Sequence, residues 1–497
     1  MARNMKVLAK ETAIYGVSSI IGKFLNWLLT PMYTFVLVQQ SDLGVITNLY
    51  GWTALMIVVL TYGMETGLFR FANKNEEEPR MVYSTTLISV GTTSLLFLTS
   101  VLLFLRPITA LWGNDAIKPQ YVAMLATILA MDAISSIPFA WLRYQKRPVR
   151  FATIKLLFVA LNIGFNLFFL VACPWLAPKY PELFMWFDIR DGVYYVLISN
   201  LLATTIQTLF LLPQFRVKYR FDKRLLQRML AYSLPLLILG VAGILNQTVD
   251  KIVFPWLYPD KTEAYTQLGI YGANFKIAVI MVMFTQAFRY AFEPFIFAKS
   301  RSESEDNKKA YADATKYFIL FALLIFLGVI GYLDIVKKII APRYHEGLKV
   351  VPIVMLGELF FGVYFNLSLW YKLTDKTKWG AYLSLIGFAI TLTIQILFIP
   401  HYGYMACAWA SFFANLGMMS ISYFLGQKNY PIQYNIAVVG RFFVLALLLL
   451  IGMYVVFRYI DSAYLRLGVN TLFVVFFASV LIKKELPLRE ILVNRKR

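Results

Sequence analysis

Charged and polar side chains stand where this sequence is otherwise apolar, and they carry whatever chemistry the chain performs. They are Lys23, Asn26, Glu65, Arg70, Asn246, Asp250, Lys251, Lys276, Arg289, Glu293 and Glu358. Ser19, Lys23, Asn26 and Thr30 follow at steps of four, three and four, which sets them on one helix face. Arg grips phosphate oxygens through paired hydrogen bonds and Lys acts as a point charge. Such a set suits an anionic head group such as a pyrophosphate, with the acids setting pairing and gating. The competing account is structural: Arg70 pairs with Glu65 or a neighbour, Arg289 pairs with Glu293 one turn on, and both anchor helix ends. Asp250 and Lys251 are adjacent and so point to different faces of a helix. Lys155, Lys316 and Arg441, near the ends of apolar runs, are expected to snorkel.

Further polar sets recur at helical spacing: Asp132 with Ser135 and Ser136, Asn162 with Asn166, Asn200 with Thr204 and Gln207, and Glu358 with Asn366. Each could hydrogen-bond a sugar, or serve as interhelical glue worth about 0.6 kcal/mol per bond.

The elements that must position these residues follow from composition. The chain is 497 residues, 59% hydrophobic and 15% charged, with mean hydropathy +0.63. A soluble chain carries roughly 25% charged residues, so this one lacks the charge to coat a surface facing water. Apolar runs of about 20 residues recur throughout, the mark of an all-α polytopic membrane protein. About fourteen spans are expected. They lie near 12–38, 44–69, 82–105, 120–142, 151–173, 192–213, 230–257, 267–292, 311–333, 350–371, 379–399, 404–425, 434–457 and 464–482. The first is read as an uncleaved span, being too long for a signal-peptide core. A charge within a span cannot face lipid, because that costs at least about 2.5–3.5 kcal/mol. The polar stripe therefore faces protein or a watery cavity, one wall of a transport path. Gly243, Asn246 and Asp250 run along the seventh span at similar spacing, which makes the cavity two-sided.

Loop charge sets the orientation. With a cytoplasmic amino terminus, the even loops and both tails hold about 30 Lys and Arg against about 11 in the odd loops. Lys337, Lys338, Arg343 and Lys349 dissent from the trend. Both termini are expected in the cytoplasm. The net charge of +21 belongs mostly to these loops, so nucleic acid is not an expected partner. The stretch from Pro174 to Asp191 reads as an interfacial re-entrant or surface helix, and the basic linker from Phe215 to Arg228 as an amphipathic helix on an anionic leaflet.

Two segments repeat. Leu43-Gly44-Val45-Ile46 opens the second span, Leu268-Gly269-Ile270-Tyr271 opens the eighth, and Asn26 and Asn246 precede them at equivalent places. The halves would be parallel repeats about an axis along the membrane normal. The expected organisation is a lobe over 1–214, a linker over 215–229, a second lobe over 230–427, and two extra spans with a basic tail over 428–497.

The stretches Thr12-Ala13-Ile14-Tyr15-Gly16-Val17-Ser18-Ser19 and Tyr62-Gly63-Met64-Glu65-Thr66-Gly67-Leu68-Phe69-Arg70-Phe71, with the Leu43-Gly44-Val45 entry, resemble polysaccharide biosynthesis proteins. These are the O-antigen and oligosaccharide flippases of the multidrug/oligosaccharidyl-lipid/polysaccharide superfamily. Phe288-Arg289-Tyr290-Ala291-Phe292-Glu293-Pro294-Phe295 looks like the end of the eighth span of bacterial members. The resemblance implies two lobes rocking about a cavity, a bacterial inner-membrane setting, and cargo carried on undecaprenyl pyrophosphate. It also implies glycan polymerases or glycosyltransferases of the same pathway as partners.

The expected function is a flippase for a lipid-linked oligosaccharide. Cys173 and Cys407 are the only cysteines and His345 and His401 the only histidines, so no metal, disulfide framework or cofactor is expected; coupling to Na+ or H+ stays open. No phosphate-binding loop is present. A drug or cation antiporter of the same superfamily would want an acid deep in span one or seven, where Asp250 qualifies and Lys23 does not. A membrane glycosyltransferase or polymerase would need catalytic groups on a sizeable outer loop.

Overall fold

The computed structural model describes residues 21–22, 24–74, 77–299, 305–374, 376 and 378–485; the side chains of 290, 291, 293–299, 305 and 306 lie outside that description. All regular structure among the described residues is helical. The long helices are α1 (24–36), α2 (Gln40–Thr61), α3 (Met64–Ala72), α4 (Pro79–Leu103), α5 (Pro119–Tyr144), α6 (Pro148–Leu167), α7 (Gly192–Phe215) and α8 (Lys223–Leu257). They continue as α9 (Ala264–Lys299), α10 (Glu305–Gly331), α11 (Val350–Leu367), α12 (Lys378–Tyr402), α13 (Tyr404–Asn429), α14 (Ile436–Tyr459) and α15 (Ala463–Glu485). Among the described residues 13 segments are long and apolar enough to cross a membrane, and α1 stands where the first expected span ends. About fourteen spans, in an all-helical fold, agree with the sequence.

Helix starts are chemically marked. Pro79, Pro119 and Pro148 occupy first-turn positions, where no amide hydrogen is needed. Asp222 caps α8 by accepting from the amides of Arg224 and Leu225 at 2.8 and 3.0 Å.

Two compact units emerge: Met1–Ala273 with Thr391–Cys407, and Asn274–Ile390 with Ala408–Arg497. In the first, α8 packs on α2, α3 and α4, and α5 packs on α4 and α7. Grouping by packing thus runs across the 215–229 linker. The second expected span is broken at Tyr62 and Gly63, whose φ values of 32° and 71° are left-handed. Gly63 supplies the freedom, and the close approach of α8 demands a glycine: a Cβ there would meet the Ser233 carbonyl oxygen at 3.0 Å. Gly67, one turn on, would place a Cβ 2.8 Å from Ser233 Oγ.

The repeated glycines meet each other. A Cβ on Gly44 would lie 1.8 Å from the Tyr265 carbonyl oxygen and 3.0 Å from the Gly269 nitrogen. A Cβ on Gly269 would lie 2.2 Å from the Gln40 carbonyl oxygen and 3.0 Å from the Gly44 nitrogen. In each direction the carbonyl belongs to the residue four before the opposing glycine, so α2 and the start of α9 cross in a self-matching way.

Loops confirm alternating helix directions within this unit. Glu77 pairs with Arg228 across two even loops, and Lys118 pairs with Asp191 across two odd ones at 2.7 Å.

Two sequence expectations are corrected here. The stretch after α6 forms no surface helix: a π-helical turn over Phe168–Ala172 and a short helix Cys173–Leu176 give way to turns and a 3-10 turn at Pro181–Phe184. Pro174, Pro178 and Pro181 punctuate it. It remains apolar and exposed at Trp175, Leu183, Met185 and Trp186. The linker is not an amphipathic helix either: 216–222 is non-helical with a bend at Val217, and α8 starts at Lys223. Its Arg216, Lys218 and Arg220 alternate with Val217, Tyr219 and Phe221, a period of two that suits extended backbone and not a helix.

In the second unit, Asp334 accepts from Lys337 at 2.6 Å and from Arg466 of α15 at 2.8 Å, which accounts for one dissenting base. Burial pushes the Asp334 carboxyl up, but its hydrogen bonds to Lys337 and Arg466 outweigh it and hold the group below its ordinary 3.8. A carboxyl depressed by folding stabilises the fold above its unfolded value and loses that contribution as pH falls through the folded one. Thermal stability should therefore decline below pH 3.8 in wild type, and Asp334→Asn should lower stability at neutral pH while flattening that acid limb. An unchanged melting curve in D334N at neutral pH would contradict the assignment.

Candidate functional site

Within the first unit, charges gather where α3, α5 and α6 meet. Arg143 Nη2 donates to Glu65 Oε2 at 2.6 Å, and its guanidinium lies 5.2 Å from the Phe69 ring centre. Lys155 Nζ sits 4.0 Å over the Phe139 ring, near enough to Asp132, Glu65 and Arg143 for their charges to act on it. Two acids and two bases thus share one aromatic-walled site. The Glu65 and Arg143 side chains are 38% and 36% exposed. A charged pair that open, close to helix ends, suits water better than lipid, which would penalise it. Arg143 Nε is buried with no hydrogen-bond partner among the described residues.

This corrects two readings. Glu65 pairs with Arg143 and not with Arg70, whose guanidinium lies 4.0 Å over the Tyr232 ring of α8. Lys155 does not snorkel; it is half-buried against Phe139 and the acids. Lys316 is likewise half-buried and paired, 3.2 Å from Glu485. Sequence reasoning missed Arg143 as a site residue because it closes a span and counts equally well as a loop charge; its signal is the Arg143-to-Lys155 spacing across a tight turn between two apolar runs.

Asp250 and Lys251 come together despite pointing apart on the helix. The Lys251 stem curls back so that Nζ reaches both Asp250 oxygens at 3.1 and 3.2 Å. Tyr271 of α9 donates to Asp250 Oδ2 at 2.8 Å. Asn48 of α2 donates to the Lys251 carbonyl oxygen at 2.7 Å and accepts from Trp112 Nε1 at 2.9 Å. Asn246 accepts from Thr391 at 3.3 Å. These contacts knit α8 to α2, α9 and α12.

Asn26 lies at the end of an amide ladder: Asn162 Nδ2 reaches it at 3.5 Å, Asn166 bonds to Asn162, and Tyr33 donates to Asn166 at 2.9 Å. The Asn162 and Asn166 spacing is therefore glue between α1 and α6. Asn200, 3.3 Å from Tyr50 and from Thr204, joins α2 to α7 in the same way.

In the second unit, the Arg289 guanidinium and Lys372 Nζ lie 4.3 and 4.2 Å from the centre of one ring, Phe365. Such contacts attract cations to the negative ring face. Lys276 on α9 and Glu358 on α11 are half-buried, and Asn366 is buried. Lys372, which the sequence does not single out, joins Arg289 here. Glu293 belongs to α9 with its side chain outside the described residues, and Lys23 and Ser19 also lie outside them.

Residues 8–298 match the family described as polysaccharide biosynthesis protein. No curated protein matched the sequence. Among solved structures, the chain is similar to the lipid II flippase MurJ in an inward closed conformation, with TM-score 0.73, 15% identity, and coverage of 94% of this chain and 98% of that one. It is also similar to an inward-facing multidrug resistance MATE transporter of the MOP superfamily, with TM-score 0.65, 12% identity, and coverage of 84% and 94%. A MATE in the straight conformation gives TM-score 0.53 at 13% identity, covering 85% and 95%. At these identities the likeness concerns the fold. With the family match spanning more than half of its length, the chain belongs to the polysaccharide biosynthesis protein family, on the fold shared by MurJ and MATE transporters.

Proposed function

We propose that this chain is a flippase that moves a polyprenyl-pyrophosphate-linked oligosaccharide, such as an O-antigen, capsule or exopolysaccharide unit, from the cytoplasmic to the outer leaflet of the bacterial inner membrane. The observation that carries the reading is the water-facing Glu65–Arg143 pair beside Lys155 and Asp132. A path of that kind spares the glycan the cost of taking unpaired hydroxyls through hydrocarbon. The lobes read from the sequence, 1–214 and 230–427, would alternate access around it, with both termini cytoplasmic and pathway polymerases or glycosyltransferases receiving or supplying the cargo. Na+ or H+ binding need shift the conformers by only a few kcal/mol.

The MATE-like fold keeps an antiporter as the second reading. The knitting of Asp250 by Lys251 and Tyr271 weighs against it, because an exchange acid must be released in every cycle.

Reconstitution with fluorescent lipid-linked sugars should give protein-dependent leaflet exchange. Drug efflux without such exchange would favour the antiporter, and sugar transfer to an acceptor lipid would favour an enzyme. Lys23→Ala with Arg289→Ala should cut surface glycan about tenfold, a loss of ~1.4 kcal/mol. Wild-type surface glycan in that double variant, at matched protein levels, would remove both residues from the path.

A further inference from the structure

A concentration of positive charge lies outside the polar interior. A cavity of about 640 Å³ in the first unit is lined by Arg80, Arg147, Arg150, Arg216, Lys218 and Arg220, with Glu78 the acid among its lining residues. None of the six bases makes an ion pair with a carboxylate among the described residues. Converging like charges around a concave space raise the local potential and draw in an anion.

The cavity is built, not a loose fringe of loop charges. Three of its bases ride on the non-helical segment 216–222. The end of α7 and that segment are pinned by α4: Tyr83 donates to the Gln214 carbonyl oxygen at 2.8 Å, Ser84 Oγ donates to the Arg220 carbonyl oxygen at 2.7 Å, and the Arg220 amide donates back to Ser84 Oγ at 2.7 Å. Trp141, stacked on Tyr83 with ring centres 4.6 Å apart, forms part of the wall.

A second hollow of about 600 Å³ adjoins the first and shares Arg147 and Arg150 with it. Its other lining is mostly apolar, with Val149, Ile154 and Phe210. Val149 and Phe210 are 66% and 53% exposed on helices of span length. A soluble phosphate or nucleotide would have use for the first hollow only. A cationic pocket opening into an apolar groove on a spanning helix matches a molecule with a charged head and a hydrocarbon tail.

We infer that these joined hollows bind an anionic phospholipid of the adjacent leaflet, its phosphate among the six bases and an acyl chain along Val149, Ile154 and Phe210. The inference needs only that the chain spans a membrane, and is independent of which cargo it moves. Arg supplies paired donors to phosphate oxygens, and the tail takes the apolar groove out of contact with headgroup water.

The test uses the full chain in phosphatidylcholine nanodiscs, titrated with phosphatidylglycerol and read by native mass spectrometry. Wild type should retain phosphatidylglycerol in preference to phosphatidylcholine. The variant R216Q/K218Q/R220Q should lose that preference by about tenfold or more, and Arg216→Gln and Arg220→Gln alone should each lower it severalfold, which keeps the test open should the triple variant fold poorly. Val149→Ser with Phe210→Ser should weaken retention without affecting the charges, and millimolar inorganic phosphate should not displace the lipid. No preference in wild type, or an intact preference in the folded Gln variants, would overturn the proposal. So would displacement by inorganic phosphate together with normal retention in the groove variant, which would assign the cavity to a soluble anion.

Discussion

Alanine at Gly44 or Gly269 is expected to separate α2 from the start of α9 and to be among the most damaging single methyl additions in the chain. The added carbon would sit 1.8 Å from the Tyr265 carbonyl oxygen in one case and 2.2 Å from the Gln40 carbonyl oxygen in the other. Both obstacles are backbone atoms inside helices, so no side chain can swing aside, and the helices themselves must shift. Overpacking of this kind costs about 1–3 kcal/mol and sometimes more. Spin labels near the first residues of α2 and α9 should report a longer distance in Gly44→Ala, and leaflet exchange should fall about tenfold for each ~1.4 kcal/mol. Gly272 makes a graded comparison: its Cβ would meet the Thr47 hydroxyl at 2.6 Å, a side-chain atom that can rotate away, so Gly272→Ala should be milder. Equal effects at Gly272 and Gly269 would show that backbone contact is not what matters.

The second large effect is expected at Arg143. Removing it leaves Glu65 beside Asp132 and Lys155, changing the local balance from two bases against two acids to one against two. Because Glu65 and Arg143 are each more than a third exposed, the pair itself is worth only about 0–1 kcal/mol of stability. On the proposed function the transport cost should be larger, since the cluster would offer donors to cargo in one conformation and remain satisfied in the other. Arg143→Ala should therefore fold at near wild-type levels and lose leaflet exchange by about tenfold or more. The neutral pair Glu65→Gln with Arg143→Gln separates the two roles: a purely structural bridge would be rescued by it, and a cargo contact would not. Recovered exchange in that double variant would reduce the pair to a strut.

Much of the architecture is legible in the sequence because lipid imposes it. A backbone that cannot hydrogen-bond to solvent must be helical, and the length of apolar run needed is fixed by bilayer thickness. Side-chain pairing is less legible. Closeness to the end of an apolar run predicts that Lys155 snorkels, yet it packs on Phe139 near the acids of neighbouring helices, which offer better partners than the interface does. Asp250 and Lys251 show the limit of helical-wheel reasoning, since a four-carbon stem spans the angle that separates adjacent positions. The 216–222 segment shows the opposite: its period of two was plain, and the basic composition drew the reading toward a membrane-surface helix. Lys372 escaped notice because its partner ring, Phe365, lies seven residues away on the preceding helix, across a break at Ser368.

The contact of Gly44 with Gly269 also couples the two positions. A Cβ on either would lie 3.0 Å from the other's backbone nitrogen, so neither accepts a larger residue unless the opposite helix gives way. Two places far apart in the chain therefore answer to a single constraint, and a change at one cannot be offset by trimming the other, because glycine has no side chain to give up.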